Sequence, residues 1–118
     1  MKALVTGGTG FIGRRLVRQL VAQYGVDAVA CLVKPPVTPL EAAALDAFRG
    51  QGLQLIEGEL MARPVAAQPP PAVDVVFHLA ANIDTDAPLE ALRVNHEGTD
   101  RLLEWLSVVS RGTRIVYA

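Results

Sequence analysis

The stretch Thr6-Gly7-Gly8-Thr9-Gly10-Phe11-Ile12-Gly13 decides the fold, because it joins an apolar run to an amphipathic segment. The run before it, residues 3–6, is typical of a fully buried parallel strand. The segment after it, residues 11–24, repeats apolar side chains three and four positions apart, which indicates one face of a helix. A glycine-rich turn between a strand and a helix is the context that a dinucleotide-binding fingerprint requires.

Three glycines of this turn have predicted roles. Gly7 permits the sharp turn out of the strand, Gly10 leaves the backbone open to a pyrophosphate, and Gly13 lets the helix pack closely on the sheet. Free N–H groups at the start of the helix, at the positive end of its dipole, stabilise the charge of a phosphate. The alternative is the same tight turn without any ligand, and strand–helix units that follow in the right order argue against it.

The rest of the chain alternates strands with helices. The patterns predict strands at 28–33, 53–56, 73–79 and 114–117, helices at 39–48 and 88–107, and a proline-rich loop at 61–72. Gly50 is expected just after the second helix, and the third helix is expected to bury a stripe made of Leu89, Leu92, Thr99, Leu102, Leu103 and Leu106. This alternation implies right-handed crossovers and a doubly wound parallel α/β sheet of strand order 3-2-1-4-5.

Composition excludes several classes of function. The chain has 118 residues, 51% of them hydrophobic, and its 11 basic and 12 acidic residues leave a net charge of -1. No basic field is available for nucleic acid or an anionic membrane surface, and the single cysteine, Cys31, excludes an internal disulfide framework or a cysteine-built zinc site. Apolar runs are too short to span a membrane, and glycine follows the N-terminus too soon for a signal peptide. We expect one soluble, cytoplasmic domain without a metal site.

Four motifs, in order, resemble the extended short-chain dehydrogenase/reductase family. Residues 6–13 are similar to its TGxxGxxG signature, and residues 57–60, Glu-Gly-Glu-Leu, resemble a Gly-Asp-Leu segment that contacts adenine. Residues 76–81 resemble its HxAA strand end beside the ribose and nicotinamide, and residues 94–99 resemble its VNxxGT helix. The resemblance covers the whole chain. One departure is Glu59, which keeps the usual carboxylate but lengthens its side chain by one methylene.

The resemblance implies cofactor-binding positions along these motifs. Together with Lys34, the expected set is Gly7, Gly10, Phe11, Ile12, Gly13, Glu59, Leu60, Leu79, Ala80 and Ala81. Lys34 bears on the choice of cofactor, because an NAD-binding domain generally places an acid at the end of the second strand to bind the ribose 2′-hydroxyl. Here the strand ends in a cation that can pair with a 2′-phosphate, so NADP is expected rather than NAD. The alternative is that Lys34 is a solvated loop charge.

The catalytic residues that the resemblance implies are missing. The family uses a Ser or Thr beyond the fifth strand and a Tyr-x-x-x-Lys pair on the next helix, whereas the only tyrosines here are Tyr24 and Tyr117, and neither has a lysine four positions on. We expect this chain to be the N-terminal part of a longer protein, cut after the fifth strand, to carry no catalytic residues and to be inactive alone.

The parent protein is expected to transfer hydride between NADP(H) and a carbonyl or alcohol substrate. Residues 78–93 look most like the reductase branches, which include fatty acyl/thioester and dihydroflavonol-reductase-like proteins. A nucleotide-sugar epimerase or dehydratase is the first alternative, and a non-catalytic NADP-sensing module is an alternative of another class. An apolar fifth strand at the edge of the sheet also predicts self-association, most simply as a twofold dimer.

Three residues are given structural roles instead of chemical ones. His78, inside an apolar strand, is expected to be a hydrogen-bonded core histidine and not a catalytic base. Gly98 is expected to permit a close approach of its helix to the sheet, because glycine otherwise costs a helix ~1 kcal/mol relative to alanine. Cys31 is expected to be inert.

Overall fold

A computed structural model describes residues 1–36, 38–80, 86, 88–107 and 112–117. The strands are β1 (Ala3–Thr6), β2 (Val29–Val33), β3 (Gln54–Glu57), β4 (Val75–His78) and β5 (Arg114–Tyr117). The helices are α1 (Phe11–Tyr24), α2 (Pro39–Gln51) and α3 (Pro88–Leu106), and a 3-10 turn at Val26–Ala28 leads into β2.

All five strands form one parallel sheet in the order β3-β2-β1-β4-β5. The predicted fold is therefore confirmed. β1 is the central strand and pairs with β2 on one side and with β4 on the other. Its residue Val5 therefore lies opposite both Cys31 and Phe77. The connections that leave the carboxyl ends of β1 and β4 diverge at this point, and such a switch of direction opens a crevice in doubly wound sheets.

Two hydrophobic clusters cover the two faces of the sheet. Alternate strand residues, such as Val5 and Cys31, pack with Val17 of α1 and Phe48 of α2. The intervening residues, such as Leu4, pack on the other face with Leu102, Trp105 and Leu106 of α3 and with Val65 and Ala66 of the loop after β3. Strands buried on both faces explain why residues 3–6 and 29–33 are apolar without alternation.

Several predicted ends need correction. Gly50 lies inside α2, which continues to Gln51, and the helix ends at Gly52, whose left-handed φ of 80° lets its N–H bond the carbonyls of Phe48 and Arg49. β4 is shorter than the predicted 73–79, because β1 offers only four residues for pairing, opposite 75–78. β2 begins at Val29 because the 3-10 turn occupies residue 28.

The apolar stripe predicted for α3 is wrong at Leu89, Leu92 and Leu103. Leu89 and Leu92 are 82% and 65% exposed, whereas Ala91 and Gly98 are buried together with Leu102, Trp105 and Leu106. At about 100° per residue, Leu89, Leu92 and Leu103 lie roughly 120° around the helix from this buried face. Leu89, Leu92 and Leu103 therefore form a separate, exposed apolar stripe. Before Leu102, the buried residues of α3 are the small Ala91 and Gly98.

Candidate functional site

A cleft of about 610 Å³ opens at the carboxyl ends of β1, β2 and β4, where the fold predicts a binding crevice. Its size lies within the usual range of small-molecule sites. The lining residues come from the end of β1, the glycine turn, the ends of β2 and β4, the start of α2, the second turn of α3, and the loop after β3. They are Thr6, Gly7, Thr9, Gly10, Leu32, Val33, Lys34, Glu41, Gly58, Glu59, Leu60, Met61, Leu79, Ala80, Val94 and Asn95.

The glycine turn has no room for side chains at two of its positions. Gly7 has a φ of +72°, and a Cβ atom there would lie 2.6 Å from the backbone nitrogen of Ala80. A Cβ atom at Gly13 would collide with the carbonyl oxygen of Gly7, so the first turn of α1 lies directly against the turn. The backbone at the end of β1 is thereby kept bare beside the cleft, which fits a group that must approach main-chain N–H donors.

The start of α1 is also uncapped. Gly10 is its N-cap residue, no side chain accepts a hydrogen bond from the first turn, and that turn carries no acidic residue. The first N–H groups of a helix have no partner within it, and the helix dipole adds partial positive charge at this end. An anion such as a pyrophosphate fits here without displacing an existing cap.

The first-turn side chains of α1 point away from the cleft. Phe11 and Ile12 are 65% and 64% exposed and do not line it, so only their backbone can reach a ligand there. The Arg15 guanidinium lies 4.6 Å from the centre of the Phe11 ring, and Arg14 Nε donates to the carbonyl of Gly10 at 3.3 Å. Neither arginine lines the cleft.

Charged side chains of both signs line the outer part of the cleft. Lys34 is exposed and follows β2 directly, while Glu41 comes from the first turn of α2 and Glu59 from the loop after β3. Thr38 fixes the start of α2, because its hydroxyl accepts from the N–H of Glu41 at 3.2 Å. Sequence reasoning missed Glu41. The signal was available in Thr38-x-x-Glu41, a capping-box spacing that marks a helix start just after Lys34.

One wall of the cleft is a loop that is fastened to α3. Within the loop, Gly58 forms an isolated antiparallel β-bridge with Ala66, and the N–H of Glu59 donates to the carbonyl of Val65 at 2.9 Å. Arg101 donates to the carbonyl of Met61 at 2.6 Å, Trp105 Nε1 donates to the carbonyl of Gln68 at 3.1 Å, and Arg63 pairs with Glu104 at 2.7 Å. The prediction that Gly98 allows a close approach to the sheet is wrong. A Cβ atom there would lie 3.1 Å from the Cβ atom of Leu60, so the close neighbour is the loop.

His78 lies beneath the cleft in a chain of polar contacts. Its Nδ1 is 2.6 Å from the Thr6 hydroxyl and its Nε2 is 2.9 Å from the Thr99 hydroxyl. The residue is only 6% exposed, and burial lowers the pKa of its imidazole. The prediction of a hydrogen-bonded core histidine is confirmed. Cys31 is fully buried, and burial raises the pKa of its thiol to about 12, which makes it an unreactive thiol at neutral pH.

The cleft brings together seven of the eleven residues expected to bind a cofactor: Gly7, Gly10, Lys34, Glu59, Leu60, Leu79 and Ala80. Gly13 lies under the turn, Phe11 and Ile12 line no part of the cleft, and Ala81 lies outside the described residues. In the described part of the chain, no cluster of three His, Cys, Asp or Glu side chains could hold a metal ion. None of the helices that the structure describes is long and apolar enough to cross a membrane.

Comparisons with known proteins agree with this geometry. Residues 3–118 match the model of the NAD dependent epimerase/dehydratase family. The chain is 30% identical to D-erythronate dehydrogenase of Cupriavidus necator over 129 residues, which cover 99% of this chain and 38% of that protein. It is 30% identical to dTDP-glucose 4,6-dehydratase of Mycobacterium tuberculosis over 119 residues, which cover 98% of this chain and 35% of that protein.

A solved structure, Pal from Bacillus thuringiensis, superposes with a TM-score of 0.73 at 29% identity, covering 99% of this chain and 38% of that one. This chain therefore spans little more than a third of the length of each of these three proteins. The match to the family model covers the glycine turn, the cleft and all five strands. The chain belongs to the NAD dependent epimerase/dehydratase family and is the NAD(P)-binding part of an extended short-chain dehydrogenase/reductase.

Proposed function

We propose that the cleft binds NADP in preference to NAD, with the pyrophosphate at the start of α1. The observation that carries this proposal is a cleft with two features: at one end a glycine turn, with no room for a side chain at Gly7 or Gly13, leads into an uncapped helix, and at the other end lies Lys34. The bound cofactor would supply hydride-transfer chemistry, while the protein binds and orients it. The roles assigned to Glu59 and Leu60 at the adenine, and to Leu79, Ala80 and Ala81 at the ribose and nicotinamide, are part of the same proposal.

Lys34 supports NADP because it is the charged residue that directly follows β2, where an acid would bind the 2′-hydroxyl of NAD. Glu41 also lines the cleft, and its carboxylate would repel the 2′-phosphate of NADP. The preference thus depends on one exposed cation, for which a contribution of about 1 kcal/mol, or about fivefold in affinity, is reasonable.

Fluorescence titration with NADPH and NADH tests this assignment. We expect wild-type chain to bind NADPH more tightly, and Lys34→Gln to lose about fivefold in NADPH affinity with little change for NADH. Lys2→Gln is the matched control, because Lys2 is also exposed but precedes β1, at the amino-terminal ends of the strands and away from the cleft. Equal losses for both cofactors, or tighter binding of NADH by wild-type chain, would refute the assignment to Lys34.

We propose further that the parent protein is an oxidoreductase of the reductase branch, acting on a carbonyl or alcohol, and that this chain alone does not turn over. Similarity to D-erythronate dehydrogenase supports hydride transfer to or from a substrate. Similarity to dTDP-glucose 4,6-dehydratase supports the alternative of a nucleotide-sugar epimerase or dehydratase. Incubating the chain with NADPH and a panel of aldehydes and thioesters, followed at the NADPH absorbance band, should show no oxidation above the blank. Measurable turnover would overturn the proposed inactivity.

Self-association through the β5 side of the molecule is our last proposal here. Val116 and Tyr117 of β5 are 44% and 58% exposed, and a small groove between β5 and α3 is lined by Leu103 and Ile115. Edge strands with apolar side chains invite pairing between copies. Sedimentation at tens of micromolar should show dimers that Val116→Lys dissociates, and a monomeric wild-type chain under those conditions would contradict the proposal.

A further inference from the structure

Four hydrogen bonds run beneath the cleft from the end of β4 to α3. The N–H of Ala80 donates to Thr6 Oγ1 at 3.2 Å, and Thr6 Oγ1 lies 2.6 Å from His78 Nδ1. His78 Nε2 lies 2.9 Å from Thr99 Oγ1, which donates to the carbonyl of Asn95 at 2.8 Å. Both ends of this chain of bonds reach the cleft, because Thr6, Ala80 and Asn95 line it.

The number of protons fixes the direction of every bond in this chain. Each hydroxyl has one proton to donate. Because Thr99 gives its proton to the carbonyl of Asn95, it must accept from His78 Nε2–H. His78 Nδ1 is then without a proton and accepts from the Thr6 hydroxyl, whose oxygen is free to accept from the N–H of Ala80.

The opposite tautomer leaves two defects. With the proton on Nδ1, Thr6 Oγ1 would accept from both His78 and Ala80, and its own proton would have no acceptor in this chain of bonds, although Thr6 is 1% exposed. Thr99 would have to give its proton to Nε2, which would leave its oxygen 2.8 Å from the carbonyl oxygen of Asn95 with no proton between them. Buried polar groups without partners are rare in folded proteins, so the Nε2–H form is strongly favoured.

We propose that His78, as the neutral Nε2–H tautomer, is a positioning residue of the cleft. It holds the Thr6 hydroxyl in the one orientation that accepts from the N–H of Ala80, and so fixes the backbone where the chain leaves β4. That backbone lies directly against Gly7, whose hypothetical Cβ atom would be 2.6 Å from the Ala80 nitrogen. The shape of the bare turn therefore depends on His78. The effect on cofactor binding rests on the proposed function, whereas the tautomer and the Ala80 bond do not.

The first test measures the ring nitrogens of the chain labelled with ¹⁵N. Long-range ¹H–¹⁵N correlation distinguishes a protonated from an unprotonated ring nitrogen, and only two histidines, His78 and His96, contribute signals. We expect one ring with a protonated Nε2 and an unprotonated Nδ1. His96 is the internal control, because its side chain is 79% exposed, and His96→Gln assigns its signal. A His78 ring with its proton on Nδ1, or one that exchanges freely between both forms, overturns the proposal.

The second test follows the amide of Ala80 in variants. Thr6→Val removes the acceptor, and we expect the Ala80 amide to exchange at least about tenfold faster, whereas Thr6→Ser retains the hydroxyl and should restore slow exchange. His78→Asn, whose amide oxygen can replace Nδ1, should preserve the Ala80 bond better than His78→Phe. Equal Ala80 exchange in wild-type chain, Thr6→Val and His78→Phe overturns the proposal.

NADPH titration of the same variants separates this inference from the proposed function. We expect affinity to fall at least about fivefold in Thr6→Val and to recover in Thr6→Ser. Thr99→Val should have a smaller effect, because the Thr6–Ala80 end of the chain of bonds is intact. If Thr6→Val binds as tightly as wild-type chain, the positioning role is overturned. If wild-type chain binds no dinucleotide, the proposed function fails, and the ring and amide measurements still decide the role of His78.

Discussion

Acidification offers a direct test of the network around His78 through folding stability. The ordinary histidine pKa is 6.5, and burial lowers that of His78 in the folded chain. Between these two values the unfolded chain binds one more proton than the folded chain, so stability rises with pH and falls on acidification. The contribution of His78 to the free energy of unfolding is fully present above the pKa that it has in the unfolded chain. This contribution is lost progressively as the pH falls toward its pKa in the folded chain.

The magnitude is bounded by the uptake of one proton. If His78 stays neutral in the folded state, the free energy of unfolding decreases by about 1.4 kcal/mol between about pH 7.5 and about pH 5.5, and by less if the folded chain begins to bind the proton. A protonated ring would present two N–H donors, and Thr6 could no longer donate to it. On the adjacent strand β5, the ring of Tyr117 lies 5.7 Å from that of His78, measured between ring centres.

Urea unfolding at a series of pH values measures this dependence. His96→Gln serves as the background, because it removes the other histidine, which is exposed and lies 3.5 Å from Asp100. In that background we expect the loss of stability, and His78→Asn should abolish most of it. A free energy of unfolding that is flat or rises on acidification across this window would refute the reasoning, as would an equal slope in the His78→Asn variant.

Two other substitutions, with Gly50→Ala as a control, test the packing of the turn and of the cleft wall. Gly13→Ala should destabilise the fold by at least about 2 kcal/mol in urea unfolding, because its Cβ atom would strike the Gly7 carbonyl, whereas Gly50→Ala, exposed in α2 with open space, should stabilise it by about 0.5–1 kcal/mol. Trp105→Phe should cost about 1 kcal/mol for the bond to Gln68 and weaken NADPH binding in fluorescence titration. Stability equal to wild type in Gly13→Ala, or an unchanged cofactor affinity in Trp105→Phe, would contradict these assignments.

The elements β1 and α1 could be predicted well from the sequence because glycine residues mark their ends. β1 and α1 were predicted to the residue, because the apolar run, the glycine turn and Gly25 each mark an end, and Gly25 indeed donates to the carbonyl of Val21. α2 was harder, because glycine occurs at both 50 and 52. Only backbone conformation distinguishes them: Gly52 adopts the left-handed φ that ends a helix, and Gly50 does not.

The stripe of α3 was mispredicted for a different reason. Hydrophobic periodicity weights large side chains, and Leu89, Leu92 and Leu103 dominated the pattern. The buried face instead includes Ala91 and Gly98, and the small size of Gly98 permits close approach by Leu60 of the loop. Local sequence cannot report how near a distant segment comes. The same limit hid the loop wall, since Arg101 and Trp105 bond carbonyls about 40 positions away.

Helix α3 connects the separate walls of the cleft, although it supplies only two of the lining residues. Through Thr99 it meets His78 beneath the end of β4, and through Arg101 and Trp105 it holds the loop that carries Leu60 and Met61. Since Val94 and Asn95 lie on the same helix, a shift of α3 would change the floor, the loop wall and the helix wall together. We expect a helix held by the contacts of Thr99, Arg101 and Trp105 to keep the cleft at one width. We therefore expect substitutions of Arg101 or Trp105 to weaken cofactor binding, even though neither side chain lines the cleft.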